Sequence, residues 1–232
     1  MIGMTTPQAV PGGTFDLKTD SGMVQSKTVI IATGAAPRYL GLENEMTLVG
    51  HGVTSCATCD GAFYRDVPVA VVGGGDSACE EANFLTRFAS KVYLIHRRDE
   101  LRASKIMADR VLANEKVEPV WDSGITEYLT DEEGEVRAVN LENLKTGEKS
   151  ELEVKCVFVA IGHVPNSQFV GGLVDLDENG YVLQNPHSTS TKTPGLYAAG
   201  DVADHIYRQA ITASGQGCAA AIEAERYLAD GE

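Results

Sequence analysis

The chain has 232 residues, enough for one large domain or two small ones with a substantial core. Its formal charge of −14, from 19 basic and 33 acidic residues, argues against a nucleic-acid or anionic-membrane partner, because both require a basic surface. With 43% hydrophobic and 22% charged residues, it is neither disordered nor fibrous in composition. It has no apolar run near the roughly 20 residues of a membrane span and no signal-peptide pattern, which predicts a cytoplasmic protein.

The start of the chain predicts short strands at residues 14–19 and 26–32, on either side of a turn at 20–22. Residues 33–37 combine a glycine with a proline, which predicts the end of a strand and the exit from a domain. A segment rich in glycine and cysteine follows at residues 51–61.

Residues 67–72 predict a buried strand, residues 76–88 a helix and residues 91–95 a second strand. This order, with a glycine turn before the helix, is that of a βαβ unit and predicts a parallel sheet. The remaining predicted elements are a helix at 103–114, an antiparallel meander at 125–129, 136–142 and 149–154, strands at 156–161 and 196–199, and a last helix at 211–229.

The glycine turn, residues 73–78, reads GGGDSA and fits the dinucleotide-binding pattern G-x-G-x-x-A. Gly73 and Gly75 permit a tight turn and the close approach of a pyrophosphate, while the helix beginning near Asp76 and Ser77 presents unpaired N–H groups to the phosphates. Glycine turns also join strands to helices for packing alone. The βαβ context favours the nucleotide site.

The end of the second predicted strand carries positive charge. Sites for NAD usually have an acidic residue there, whereas arginine accommodates the additional phosphate of NADP. His96, Arg97 and Arg98 stand at this place, and Arg102 follows one turn further on. The alternative is a solvated basic patch, but guanidinium groups at this spacing in an acidic chain favour NADPH.

Cys56 and Cys59 form a C-x-x-C pair, an arrangement that lowers the pKa of one thiol and makes it an attacking group in exchange. A zinc site would need two more ligands, and His51 is the nearest candidate. Asp60 follows the pair and is a candidate for moving protons, or else a turn residue.

The other three cysteines show no such spacing. Five is an odd number and too few for a disulfide scaffold in a chain of this size. Cys79, Cys156 and Cys218 fall within helix or strand patterns, and we interpret them as small residues of the hydrophobic core.

A dithiol beside an NADPH-type βαβ unit suggests a pyridine-nucleotide disulfide oxidoreductase. The sequence closely resembles bacterial low-molecular-weight thioredoxin reductases. The resemblance covers almost the whole chain and rests on residues 56–61 (CATCDG), 96–103 (HRRDELRA), 160–166 (AIGHVPN), 200–202 (GDV), 207–210 (YRQA) and 215–217 (GQG).

The resemblance implies an α/β fold with two Rossmann-like dinucleotide-binding domains of the FAD/NAD(P)-binding type. Residues 38–162 would form the NADPH-binding domain, which carries the redox dithiol. Residues 1–37 and 163–232 would form the FAD-binding domain into which the NADPH domain is inserted. Family members begin with a further βαβ unit that holds the ADP half of FAD, and this chain lacks one, so an N-terminally truncated FAD domain is expected.

The resemblance also implies a route for electrons, from NADPH through FAD to the disulfide of Cys56 and Cys59 and on to thioredoxin. Cys59 would face the flavin, Cys56 would attack thioredoxin, and Asp60 would donate the proton. A homodimer and a role in cell redox homeostasis are implied as well.

Further cofactor contacts are implied by the matched motifs. Asp201 would bind the ribityl-pyrophosphate part of the flavin, and Arg208, Gln209 and Ala210 would lie near its ring and tail. The remaining residues expected to contact a cofactor are Thr33, Gly34, Ile161, Gly162 and Gly200.

Three alternatives differ from this interpretation. The chain could be a truncated, catalytically silent NADPH-binding or dimerisation module. Relatives that serve a peroxidase carry an added module with a second C-x-x-C, which is not visible here. Relatives that link ferredoxin to NADP lack the cysteine pair, so Cys56 and Cys59 count against them.

Overall fold

The structure is a computed structural model that describes residues 3–5 and 13–230. It divides into two compact units. The continuous unit is Pro37–Gly162, and the split unit consists of the described residues up to Ala36 and from His163 onward.

The elements are numbered along the chain. The strands are β1 (Gly3–Thr5), β2 (Phe15–Thr19), β3 (Gly22–Ser26), β4 (Val29–Ile31), β5 (Ala35–Pro37), β6 (Val53–Thr54), β7 (Pro68–Val72), β8 (Lys91–Ile95), β9 (Val117–Val120), β10 (Ser123–Thr130), β11 (Val136–Asn143), β12 (Lys149–Glu153), β13 (Val157–Val159), β14 (His163–Pro165) and β15 (Leu196–Ala198). The helices are α1 (Ala57–Asp60), α2 (Asp76–Leu85), α3 (Lys105–Leu112) and α4 (Ala210–Asp230). Short 3₁₀ turns lie at Glu45–Thr47, Gly61–Phe63, Gln168–Val170 and Gly200–Val202.

The continuous unit is built on a five-stranded parallel sheet with the strand order β6-β13-β7-β8-β9. Side chains along a strand alternate between its two faces, so successive residues of β7 belong to two different hydrophobic clusters, one on each face of the sheet. Val69 and Val71 pack with the buried residues of α2, whereas Ala70 and Val72 pack with the antiparallel strands on the other face. The predicted parallel sheet and its βαβ unit are therefore confirmed.

The antiparallel layer consists of β10, β11 and β12, in which Ile125 faces Leu141 and Leu152 faces Val139. The predicted meander is confirmed. Its apolar residues cover one face of the parallel sheet, while α2 contributes Ala78, Ala82 and other buried residues to the opposite face. The unit thus has helices and an antiparallel sheet on opposite sides of a parallel sheet.

In the split unit, β4 and β15 pair in parallel, with Val29 opposite Leu196. Strands β1, β2 and β3 form an antiparallel sheet, and β5 pairs with β14. Helix α4 packs on β15 through Ala220 and Ala224 against Tyr197.

The structure corrects several predicted boundaries. Residues 26–32 do not form one strand, because the hairpin partner of β2 runs from Gly22 to Ser26 and a new strand begins at Val29. Helix α2 ends at Leu85 instead of continuing to residue 88. The predicted burial of Cys218 is wrong, since this thiol is exposed on α4, whereas Cys79 and Cys156 are buried as predicted. No helix in the described ranges is both long and apolar enough to cross a membrane.

Candidate redox and dinucleotide sites

Cys56 and Cys59 are joined in a disulfide, with their Cα atoms 5.3 Å apart. Cys56 caps the N-terminus of α1, and its sulfur accepts a hydrogen bond from the N–H of Cys59 at 3.2 Å. Cys56 is half-buried and Cys59 is exposed. The pair is therefore accessible to exchange, and the N–H directed at Cys56 would stabilise a thiolate on that sulfur after reduction.

The disulfide, the glycine turn and the basic segment follow strands of the same parallel sheet. Cys56 comes soon after β6, Gly73 directly after β7 and His96 directly after β8. Because the strands are parallel, their carboxyl ends share one edge of the sheet. The three motifs found in the sequence are thus brought to one edge of the continuous unit.

The buried Thr54 hydroxyl forms hydrogen bonds at both ends of α1, to the main chain of Cys56 and to the side chain of Asp60. The Thr54 hydroxyl donates to Asp60 Oδ2 at 2.5 Å and accepts the N–H of Cys56 at 3.2 Å. Thr54 is only 8% exposed. The sequence pattern did not predict a functional role for Thr54.

Two groups with raised pKa values, Tyr64 and Cys156, interact electrostatically with Asp60. Tyr64 and Cys156 interact through a side-chain hydrogen bond. Burial raises the pKa of both groups, and the Asp60 carboxylate raises both further. Cys156 therefore remains a thiol at neutral pH and does not compete with Cys56 or Cys59 as a nucleophile.

The glycine turn is shaped by close contacts on two of its three glycines. A Cβ on Gly73, which has φ of 153°, would lie 2.5 Å from the Ala160 carbonyl oxygen. A Cβ on Gly74 would lie 2.2 Å from the His96 ring. A Cβ on Gly75 would have no atom within 4 Å. This open space beside Gly75, the phosphate cradle, is what a bound pyrophosphate would need.

The N-terminus of α2 fits an anion. Gly75 is its N-cap and supplies no side-chain cap to the first N–H groups, which include that of Ser77. The Asp76 carboxylate is turned toward Ser104 and accepts its N–H and hydroxyl at 2.7 and 2.9 Å. The N–H of Arg102 donates to the Gly74 carbonyl at 2.6 Å, which holds the basic segment against the turn.

His96 and the arginines differ in environment. His96 is 5% exposed, and burial together with the charges of Arg102 and Arg98 lowers its pKa. The ring is therefore neutral, and it packs directly against Gly74 in the glycine turn. Arg97, Arg98 and Arg102 are exposed, so their guanidinium groups are available to a phosphate.

The split unit has a corresponding edge, where β4 and β15 end. Thr33 and Gly34 follow β4, and Gly200 and Asp201 follow β15. Gly34 and Gly200 have φ of 71° and 76°, which glycine adopts without strain. The side chain of Asn166 donates to the Thr33 carbonyl at 2.9 Å and fixes this turn.

Asp201 has a buried oxygen, Oδ1, to which no residue in the described part of the chain donates a hydrogen bond. Burial and the charge of Asp204 raise the pKa of Asp201, and Arg208 partly offsets this. A buried carboxylate oxygen without a donor favours a hydroxyl-bearing ligand, such as the ribityl chain of a flavin.

The loop before α4 is organised by Asp204, whose Oδ1 accepts the N–H groups of Ile206 and Tyr207 at 2.9 Å each. Arg208 has φ of 49°, and its Nη1 lies 3.2 Å from His163 Nδ1. Gln209 precedes α4, which begins at Ala210. The N–H of Arg208, a residue expected to contact a cofactor, also donates to Asp204 Oδ2, at 3.4 Å, and Asp204 itself was not predicted.

Ile161 and Gly162 end the continuous unit. Gly162 is exposed with φ of 103°, and its carbonyl accepts the N–H of Arg38 at 2.9 Å. Ile161 packs beside the core formed by β13 and the antiparallel strands. The described residues contain no group of three or more side chains that could hold a metal ion.

The continuous unit thus combines a glycine turn, a basic segment and a disulfide at one edge of a parallel sheet. Residues 8–217 match the pyridine nucleotide-disulphide oxidoreductase family, and the chain belongs to it. The predicted α/β fold class is confirmed by this match and by the solved relatives.

Several similar proteins are thioredoxin reductases. The chain is 56% identical to thioredoxin reductase of Mycolicibacterium smegmatis, over 89% of this chain and 66% of that protein. It is 50% identical to thioredoxin reductase 2 of Arabidopsis thaliana, over 92% of this chain and 58% of that protein. The crystal structure of thioredoxin reductase from Streptococcus pyogenes superposes with a TM-score of 0.90 at 40% identity, covering 99% of this chain and 74% of that one. The chain thus spans about 58 to 66% of the length of these two curated relatives.

Proposed function

We propose that the chain carries the redox centre of a thioredoxin-disulfide reductase dependent on NADPH and FAD. The observation that carries this proposal is the Cys56–Cys59 disulfide at the sheet edge that also bears the glycine turn and the arginines. The relatives named thioredoxin reductase support thioredoxin as the protein substrate. A homodimer and a cytoplasmic location belong to the same proposal.

The continuous unit is the proposed NADPH domain. Gly73 and Gly75 would let the pyrophosphate approach the N-terminus of α2, where Ser77 contributes its N–H. Asp76 would shape the turn through Ser104. Arg97, Arg98 and Arg102 would contact the 2′-phosphate, with His96 as the floor of the turn and Ile161 and Gly162 at the end of β13 as further contacts.

The split unit is the proposed FAD domain. Asp201 Oδ1 would accept a ribityl hydroxyl, which fits its buried position and its lack of a donor. The other proposed contacts with FAD are Thr33, Gly34, Gly200, Arg208, Gln209 and Ala210. When bound, FAD supplies the chemistry that converts hydride from NADPH into an electron pair for the disulfide.

The residues of the dithiol have distinct proposed roles. Cys59 would receive electrons from the flavin side, and Cys56 would attack the disulfide of thioredoxin. Asp60 would exchange protons with the thiols during these steps, since a carboxylate beside the dithiol can act as both base and acid.

The direct test is the visible spectrum of the purified protein, recorded before and after addition of NADPH. We expect a flavin band that NADPH bleaches, followed by NADPH-dependent reduction of thioredoxin. The matched control is Cys59→Ser, which should keep NADPH binding and lose thioredoxin reduction. A colourless protein that binds NADPH and leaves thioredoxin oxidised would contradict the proposal and favour a nucleotide-binding module.

A further inference from the structure

The Thr54 hydroxyl has a single proton, and its two hydrogen bonds determine where that proton lies. It accepts the N–H of Cys56 at 3.2 Å, so its own O–H is free to be donated to Asp60 Oδ2 at 2.5 Å. Thr54 is 8% exposed, which limits the exchange of either bond for one to water. The bond therefore fixes both the position and the rotation of the Asp60 carboxyl group.

This geometry distinguishes the two oxygens of Asp60. Oδ2 acts as an acceptor from Thr54, so a proton taken up by Asp60 resides on Oδ1. The backbone is fixed at the same time, because the N–H of Asp60 donates to the Cys56 carbonyl at 3.1 Å. Thr54 thus links the carboxyl group to the main chain of the redox cysteine.

The other titratable groups near Asp60 do not supply protons at neutral pH. Tyr64 and Cys156 interact electrostatically with Asp60, and burial raises the pKa of each well above its usual range. The Glu135 carboxylate also acts electrostatically on Tyr64 and Cys156. Its Oε1 lies 2.8 Å from His51 Nδ1, with which it forms a hydrogen bond. With these three groups set aside, Asp60 is the remaining candidate beside the dithiol for exchanging a proton with it.

We propose that Thr54 is a positioning residue for proton transfer at the dithiol and acts by holding Asp60 with Oδ1 free to take and give the proton. The inference rests on the proposed function of the Cys56–Cys59 pair. It adds a residue outside the C-x-x-C-D motif whose contribution depends on its hydroxyl group.

The Cys56 thiolate attacks one sulfur of the partner disulfide, a mixed disulfide forms, and the second partner sulfur leaves as a thiolate. Asp60 takes the proton of Cys59, whose thiolate then attacks the Cys56 sulfur and releases the first partner sulfur. The protein is oxidised to its disulfide, the partner gains two electrons, and its two thiolates receive the proton held by Asp60 and one from water.

The test uses the chain reduced with dithiothreitol and then desalted, so that no flavin is needed. The rates of exchange with oxidised thioredoxin and with glutathione disulfide are measured by acid quench, alkylation and mass determination. Thr54→Val replaces the hydroxyl by a methyl group of similar size, and Thr54→Ser keeps the hydroxyl. Thr126→Val is the matched control, because it removes an exposed hydroxyl on β10.

We expect Thr54→Val to slow exchange about tenfold, since general acid–base catalysis contributes roughly 100-fold or more and depends on position. Thr54→Ser should remain within about twofold of the parent, and Thr126→Val should match the parent. In the Asp60→Asn background, Thr54→Val should cause no further loss, because the hydroxyl acts through the carboxyl group. If Thr54→Val does not fold, Thr54→Ala provides the same comparison.

The proposal is overturned if Thr54→Val leaves the rate unchanged, or if it slows the Asp60→Asn protein by the same factor as the parent. The latter result would show a purely structural role. Failure of the proposed function has a different signature: the parent would exchange with thioredoxin no faster than with glutathione disulfide. The effect of Thr54 would still be measurable with the small disulfide.

Discussion

The imidazole ring of His96 occupies the space that a side chain at Gly74 would need. A Cβ at Gly74 would lie 2.2 Å from Cε1 and 2.3 Å from Nδ1 of this ring, which is 5% exposed and belongs to the end of β8. The neighbouring Gly75 faces open space within 4 Å. Gly74 is therefore required for packing against His96, whereas Gly75 leaves room for a ligand to approach the turn.

Alanine substitution separates these purposes. Gly74→Ala should lower the free energy of unfolding by about 1 to 3 kcal/mol, because the methyl group overlaps a buried ring. Gly75→Ala should change stability by less than about 1 kcal/mol, yet weaken NADPH binding at least about tenfold, because its methyl group points into the proposed phosphate cradle. Denaturant unfolding and calorimetric titration measure the two effects. Equal losses of stability in both variants would contradict this division.

The exposed arginines should distinguish NADPH from NADH. Replacing Arg97 and Arg98 together by glutamine should weaken NADPH binding about 10- to 100-fold, since a hydrogen bond to a charged group contributes roughly 1.5–3 kcal/mol. NADH binding should change little, because it lacks the 2′-phosphate. Arg87→Gln is the control, since Arg87 stacks on Phe84 at the opposite end of α2. Equal weakening of both nucleotides would rule out the proposed phosphate contact.

The five cysteines should fall into three classes of reactivity. In the oxidised protein at pH 8, only Cys218 should react rapidly with iodoacetamide. Burial, assisted by the charge of Asp76, raises the pKa of Cys79 to about 11, and burial also raises the pKa of Cys156. After reduction, Cys56 and Cys59 should react as well.

Mass spectrometry after brief alkylation measures this result. The control is Cys218→Ser, in which no thiol should react before reduction and only the pair should react after it. Rapid labelling of Cys156 in the folded oxidised protein would show that its burial is not maintained in solution.

A buried carboxylate closes the loop that begins the continuous unit. Glu45 is 1% exposed, and Oε1 accepts the N–H of Leu40 at 3.0 Å and the hydroxyl of Tyr128 at 2.7 Å, while Oε2 accepts the N–H of Gly41 at 2.7 Å. Glu45→Gln should lower the free energy of unfolding by about 2 to 3 kcal/mol. Both carboxylate oxygens accept hydrogen bonds, so the NH2 group of glutamine would face an N–H or O–H donor in place of an acceptor. Glu43→Gln, at an exposed neighbouring position, should have little effect. A thermal melt that is the same for both variants would refute this role.

Much of the continuous unit was predictable because its signals are local. The apolar residues of β7 stand directly before three glycines, so strand, turn and helix follow from a short stretch of sequence. Strand β8 was predicted with its observed limits, Lys91–Ile95. The disulfide at Cys56 and Cys59 was likewise expected from spacing and resemblance.

Other elements depend on partners distant in the chain. Strand β9 contains Pro119, which argues against a strand, but it lies at the edge of the sheet where a missing N–H is tolerated. The Thr54 hydroxyl is directed by the pairing of β6 with β13, about which the local sequence carries no information. Cys218 lies in a helix rich in small residues, so no apolar stripe marks which side is buried.

The hydrogen bond from the Arg38 N–H to the Gly162 carbonyl, 2.9 Å long, brings the two ends of the continuous unit side by side. A segment whose ends meet can be gained, lost or exchanged as a single piece of gene without disturbing the spacing of the chain on either side. Two recombination events, one on each side of this hydrogen bond, would therefore exchange homologous units as single segments. The same closeness makes it a natural place to join the ends by a short linker and open the unit elsewhere, as in a circular permutant.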